Sequence, residues 1–147
     1  MKKLFLSFII LFCITLSAIS QSFIGQSSTS IKNSVLKEYS SGISNVSDES
    51  NILTISFQDG HSALYFTNSN DLCKYYTLCY PIANYNTMRN MLQTNFTKVY
   101  NYEKWYYKDG EYYIYYKIVI DKSGTVFWIF VYPDFYESEI DQIINSL

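Results

Sequence analysis

Strict alternation of apolar and polar residues recurs on both sides of two Asp-Gly pairs, and the elements of the chain are read outward from those points. In residues 52–57, Leu53, Ile55 and Phe57 alternate with Thr54 and Ser56, the period-two pattern of a strand with one buried face. Asp59-Gly60 as a two-residue hairpin loop then sets Ile55 opposite Leu64 and Leu53 opposite Phe66. The second hairpin is the more aromatic. Residues 98–108 lead into Asp109-Gly110 and residues 111–120 lead out, so that Lys108 faces Glu111, Tyr106 faces Tyr113, Lys104 faces Tyr115 and Tyr102 faces Lys117. Val99, Trp105 and Tyr107 with Tyr112, Ile114, Tyr116, Ile118 and Ile120 make the other, core-facing side. The sheet therefore has one apolar face and one wet but heavily aromatic face.

Helical spacing appears in three places. Ile31, Val35 and Tyr39 recur at i, i+4 and i+8, with Ser28, Thr29 or Ser30 as the cap and Gly42 as the stop. In residues 82–96, Tyr85, Met88, Met91, Leu92 and Phe96 share a side and Asn84 can cap. After Pro133, Asp134 with Glu137 forms a capping pattern, and Ile140, Ile143, Ile144 and Leu147 form the inner face of a last helix. Residues 21–30 and 40–51 are polar and read as linker and loop, and residues 72–80 read as a strand ended by Pro81. A turn over 121–124 precedes a strand over 125–132. An even-numbered loop there, the preferred reading, puts Phe127, Ile129 and Val131 in the core and Trp128, Phe130 and Tyr132 on the tyrosine face, and a three-residue loop reverses them.

The predicted class is thus α+β, in the order α-β3-α-β3-α, with a single six-stranded antiparallel sheet and all helices packed on one face. Fifty residues separate the two Asp-Gly turns, a hint of internal duplication. This element order resembles the type III secretion chaperone-like fold, and a repeated helix-plus-sheet unit with an aromatic sheet face resembles β-lactamase inhibitory protein. The opening Phe-Ile-Gly-x-Ser, residues 23–27, is similar to that of small exported bacterial proteins of unknown function, and implies no activity.

Residues 1–20 have the form of a secretory signal peptide. Lys2 and Lys3 precede an apolar run over 4–16, and Ala18 and Ser20 supply small residues before Gln21. The expected product is an exported chain, periplasmic or secreted, with one domain over 21–147 and no membrane attachment after cleavage. Removing Lys2 and Lys3 leaves 9 basic against 13 acidic side chains, a net of −4, which argues against nucleic acid. Of the cysteines left, Cys73 and Cys79 would stand roughly 20 Å apart on a continuous strand, whereas a disulfide needs about 4.4–6.8 Å between Cα atoms. They pair only if that segment bends, and free thiols are the preferred reading.

Candidate chemistry is sparse. His61 is the only histidine and follows a turn, where exposure is expected. Glu103 falls in the core-facing register of its strand, or sits at a strand end near Lys98 or Lys117. No Ser/His/Asp set, zinc spacing or phosphate loop is present in the sequence, and no cofactor is expected. The aromatic face stands out, because ten of sixteen tyrosines lie between Tyr100 and Tyr136. Tyr100, Tyr102, Tyr106, Tyr113, Tyr115, Trp128, Phe130 and Tyr132 are the candidate binding residues. The expected function is a non-enzymatic binding or inhibitory module that contacts a protein partner or a second copy of itself. Alternatives are cover by the last helix or a loop, stacking of sugars on the rings, and a small hydrolase using scattered carboxylates.

Overall fold

The first helix is capped one residue before the predicted positions Ser28–Ser30. In the computed structural model, which describes residues 22–147, Ser27 is extended and its hydroxyl accepts a hydrogen bond from the Ser30 amide at 3.2 Å, opening α1 (Ser28–Tyr39). The signal peptide expected over 1–20 lies outside the described residues. Residues 22–27 are not a linker. Phe23 is buried, edge-on to Tyr65 at 5.3 Å and Tyr76 at 5.9 Å. Gly25 has φ +79°, and its amide donates to the Cys73 carbonyl at 2.8 Å while the Cys73 amide donates to Gln26. The Phe-Ile-Gly-x-Ser opening is thus a helix entry: an apolar plug, a left-handed turn and a cap.

Eight strands follow where six were predicted: β1 (Ile43–Glu49), β2 (Ile52–Phe57), β3 (Ser62–Thr67), β4 (Cys73–Pro81), β5 (Thr97–Lys98), β6 (Lys104–Asp109), β7 (Tyr112–Ile120) and β8 (Val126–Pro133). Between β4 and β5 lies α2 (Tyr85–Asn95), and after β8 comes α3 (Glu137–Ser146). The order is therefore α-β4-α-β4-α. Each extra strand is an edge strand without the pattern of a half-buried one. β1 is Ile-Ser-Asn-Val-Ser-Asp-Glu, mostly exposed and bulged at Ser44, a charged edge that resists pairing with another chain. Ser50 and Asn51 join it to β2 with φ of 54° and 64°, a turn made without glycine. β5 is two residues long.

The strands form one antiparallel sheet in the order β1-β2-β3-β4-β8-β7-β6-β5. Read from its centre, the order is the same four-strand meander twice, joined where β4 pairs with β8. The exits repeat as well: Tyr80-Pro81 and Tyr132-Pro133 each pass through a short 3₁₀ turn, Ile82–Asn84 and Asp134–Tyr136, into a helix. The duplication hinted at by spacing is therefore present in the topology.

Both hairpin registers differ from those predicted, with opposite consequences. Around Gly60 (φ +88°) the loop has three residues, 58–60: the Phe57 amide donates to the His61 carbonyl at 3.0 Å and the Gly60 amide to Phe57 at 3.2 Å. One extra loop residue moves β3 by one position, so Ile55 faces Ala63 and Leu53 faces Tyr65, and Leu64 and Phe66 turn to the other face. Around Gly110 (φ +60°) the loop is Gly110-Glu111, so Asp109 faces Tyr112 and Tyr106 faces Tyr115. That is a shift of two, which leaves the side chains of β6 and β7 on their predicted faces. The four-residue loop 122–125 is even, as preferred, and the alternation of β8 follows it.

α1 and α2 cover one face of the sheet. Ile31, Val35 and Tyr39 of α1 and Met88, Met91 and Leu92 of α2 pack with Leu53, Ile55, Tyr65, Tyr76, Leu78, Trp105, Ile114, Tyr116, Phe127, Ile129 and Val131. α3 lies on the opposite face, contrary to the prediction of three helices on one side. Ile140 packs there with Tyr75, Phe130 and Tyr132. Its amphipathic pattern guarantees burial but does not choose the face. Leu53→Ala should lower stability by about 2–5 kcal/mol as a core truncation, and Leu64→Ala by under about 1.5 kcal/mol because Leu64 lies half-buried on the α3 face. Urea midpoints check this, and equal losses would mean the two-residue loop is correct.

Candidate functional site

The tyrosine face is built by alternation on four neighbouring strands, which sets Lys104 and Tyr106 of β6, Tyr113, Tyr115 and Lys117 of β7, Phe130 and Tyr132 of β8 and Tyr75 of β4 on one side. α3 crosses its middle and is held by charge on both flanks. Glu137 meets Lys104 of β6, Asp141 accepts from Lys117 of β7 at 2.8 Å, and Glu139 accepts from Lys74 and the Tyr75 hydroxyl of β4, both at 2.9 Å. Lys74 is the extra residue of a bulge, since Phe66 pairs with Tyr75 and Thr67 with Cys73. Lys104 is nearly buried, its Nζ 3.8 Å from the Tyr115 ring centroid and 5.9 Å from that of Tyr132. Burial opposes the charge on Glu139, but its hydrogen bonds from Lys74 and Tyr75 prevail and hold its carboxyl below the usual range.

The eight candidate residues separate into three groups. Phe130 and Tyr132 are buried beneath α3, and burial raises the Tyr132 phenol. Tyr115 and Trp128 are half-buried at its margins, Tyr115 against Tyr132 at 5.8 Å. Tyr113 is 40% exposed, and Tyr106 meets it edge-on at 5.6 Å. Tyr100 and Tyr102 are exposed but leave the sheet, because residues 99–103 turn between β5 and β6: the Val99 amide donates to Lys104, and Asn101 has φ 64°. The alternation that placed both on the face stops at Lys98.

Two rings that the sequence placed elsewhere complete the exposed group. Tyr112, expected in the core, is 53% exposed at the hairpin end and meets Phe135, 60% exposed, at 5.4 Å and 73°. Phe135 in turn contacts Tyr136 at 4.7 Å. The signal for Phe135 was available: an aromatic just after a strand-ending proline sits where the chain leaves the sheet.

His61 is 7% exposed, not a surface turn residue, because the longer loop turns residues 61, 63 and 65 inward. Its ring lies between Phe57 at 4.0 Å and Tyr80 at 5.1 Å, both near parallel, and its Nδ1 faces the Asp59 carboxylate. It lines a cavity of about 20 Å³ under α1 with Glu38 and Tyr39, room for about one water. Glu103 is a loop residue held by Arg89 at 2.8 and 3.2 Å and by Lys98 at 3.2 Å, and those hydrogen bonds keep its carboxyl ionised. Cys73 and Cys79 are free; burial pushes the Cys73 thiol up to about 12, which makes it a poor nucleophile. Among the described residues no cluster of three or more His, Cys, Asp or Glu could hold a metal ion, and no helix is long and apolar enough to cross a membrane.

Comparison of the chain with protein-family models, curated proteins and solved structures finds no match.

Burial lowers the His61 pKa more than Asp59 raises it, so the folded imidazole is neutral where the unfolded one begins to charge. The unfolded state then binds more protons below about pH 6.5, and stability falls as pH drops from there through the native value. His61→Phe keeps the ring stack and removes that proton. Urea midpoints between pH 7.5 and 5.5 should fall for the parent relative to His61→Phe, and parallel curves would show that His61 is not held neutral.

Proposed function

We propose that the protein is an exported, non-catalytic binding module that meets a protein partner through the aromatic rim at the β6–β7 hairpin. The observation that carries this reading is the set of exposed rings Tyr113, Tyr112 and Phe135 at one end of the sheet, Tyr112 edge-to-face with Phe135 and Tyr113 edge-to-face with the half-buried Tyr106, with Tyr100 and Tyr102 exposed on the loop before β6. Clustered exposed aromatics are costly to hydrate and typical of protein contacts, where Tyr supplies area with little side-chain entropy to lose. Edge-to-face pairing favours a protein over a sugar, which stacks on an open ring face. Export is supported by the leader-like pattern of residues 1–20. A non-catalytic role is supported by the sole histidine being stacked in the core and by Glu103 being held in ion pairs.

The test is the double substitution Tyr112→Ser with Phe135→Ser. Both rings are largely exposed, so folding stability should change by under about 1 kcal/mol. Capture of a partner from the envelope or culture fluid should weaken at least thirtyfold, about 2 kcal/mol, as for loss of an aromatic anchor. Undiminished capture by the variant rejects the rim as the contact. A second copy as the partner would instead appear as a concentration-dependent mass in sedimentation equilibrium that the same substitutions abolish.

A further inference from the structure

We propose that α3 is a displaceable cover, and that the face beneath it receives an acidic amphipathic helix of a protein partner in its place. This rests on the reading of the aromatic rim as a docking surface, extends that surface to the neighbouring face under α3, and names the chemistry of what docks there.

Charge is the first support. Each cation that the covered face presents, Lys74, Lys104 and Lys117, is met by one carboxylate of α3. Lifting α3 would leave three lysines among tyrosine rings, in a protein whose formal net charge is −2. Such a local cationic patch selects an acidic helix and repels a basic one. The second support is the weakness of the hold. Only Ile140 of α3 is fully buried, Ile143 and Ile144 are half-buried, and the pairs of Glu139 with Lys74 and Asp141 with Lys117 join acids 42% and 48% exposed to lysines 24% and 27% exposed, where ion pairs are screened. Ten residues are too few for a helix that stands alone in water, so α3 would unfold as it leaves.

Thr77 and Tyr132 give the third support. Both hydroxyls lie on this face, buried and without a hydrogen-bond partner among the described residues. An unmet buried hydroxyl loses its hydration without compensation, so this face keeps polar groups that another helix could satisfy. Position is the fourth support. Phe135 and Tyr136 form the 3₁₀ turn just before α3, next to Tyr112, so a partner seated on the rim already touches the hinge.

The probe is a fluorescein-labelled peptide of residues 134–147, the one acidic helix known to fit. In the full chain, Glu139→Lys with Asp141→Lys should disengage α3, and the peptide should bind that variant at least tenfold more tightly than the parent, less so at high salt. Adding Lys104→Glu and Lys117→Glu should abolish binding. A peptide with lysine in place of Glu137, Glu139 and Asp141 should not bind. Equal affinity for parent and variant, equal binding of the basic peptide, or no binding to a variant whose α3 amides exchange freely would each overturn the proposal. If the variant does not fold, hydrogen exchange on the parent decides: α3 amides should open at least tenfold more often than those of β8, and equal protection overturns displacement. Partner capture that needs Tyr112 and Phe135 while α3 stays protected would sink the displacement and leave the rim standing.

Discussion

The antiparallel pairing of β4 with β8 is the contact on which the architecture depends. Without it the chain is two four-stranded meanders, each with an open apolar edge. At the junction Tyr76 faces Val131 and Leu78 faces Ile129 on the side of α1 and α2, while Thr77 faces Phe130 on the side of α3. Burial on both sides requires a near-continuous apolar run in place of alternation, and β8, Val-Phe-Trp-Ile-Phe-Val-Tyr, has one. The third helix follows from that requirement. A junction covered by α1 and α2 alone would leave Phe130, Tyr132 and Tyr75 in water, and α3, entered from β8 through the turn Asp134–Tyr136, covers those rings.

Element type was legible wherever one face is buried, because burial writes its period into the sequence. Ile31, Val35 and Tyr39 marked α1, and the odd-numbered residues of β2 marked its core face. Edges were not legible, since β1 and β5 gain backbone hydrogen bonds with little burial and need no pattern. Register was legible only modulo two. In the second hairpin an error of two residues changed partners and preserved faces, whereas in the first an error of one exchanged Ala63 and Tyr65 for Leu64 and Phe66 and hid the burial of His61. The face chosen by α3 was out of reach for another reason. Its isoleucines specify that a stripe is buried, and its acids find partners only once the lysines of three separate strands are assembled.

The same separation explains the tyrosines. Tyr suits strands because its ring packs and its hydroxyl tolerates water, so a tyrosine-rich sheet can place one residue type in both environments. Tyr65, Tyr76, Tyr116 and Tyr132 are interior, while Tyr100, Tyr102, Tyr112 and Tyr113 face water. Composition shows the abundance of the residue and not this partition. Of the candidate binding set read from alternation, six residues lie on the face and Tyr100 and Tyr102 lie off the sheet, and access on the face is mixed, with covered rings under α3 and freer rings at the hairpin end.

The most direct test of this partition is chemical labelling of the tyrosines in the dilute folded protein, read by peptide mass spectrometry. Nitration should reach Tyr100, Tyr102, Tyr112 and Tyr113 first, reach Tyr132 more slowly and only through opening of α3, and leave Tyr65, Tyr76 and Tyr116 unmodified until the protein unfolds. Modification of Tyr132 or Tyr76 as fast as Tyr113, or protection of Tyr112 and Tyr113 in a species of monomer mass, would contradict the account.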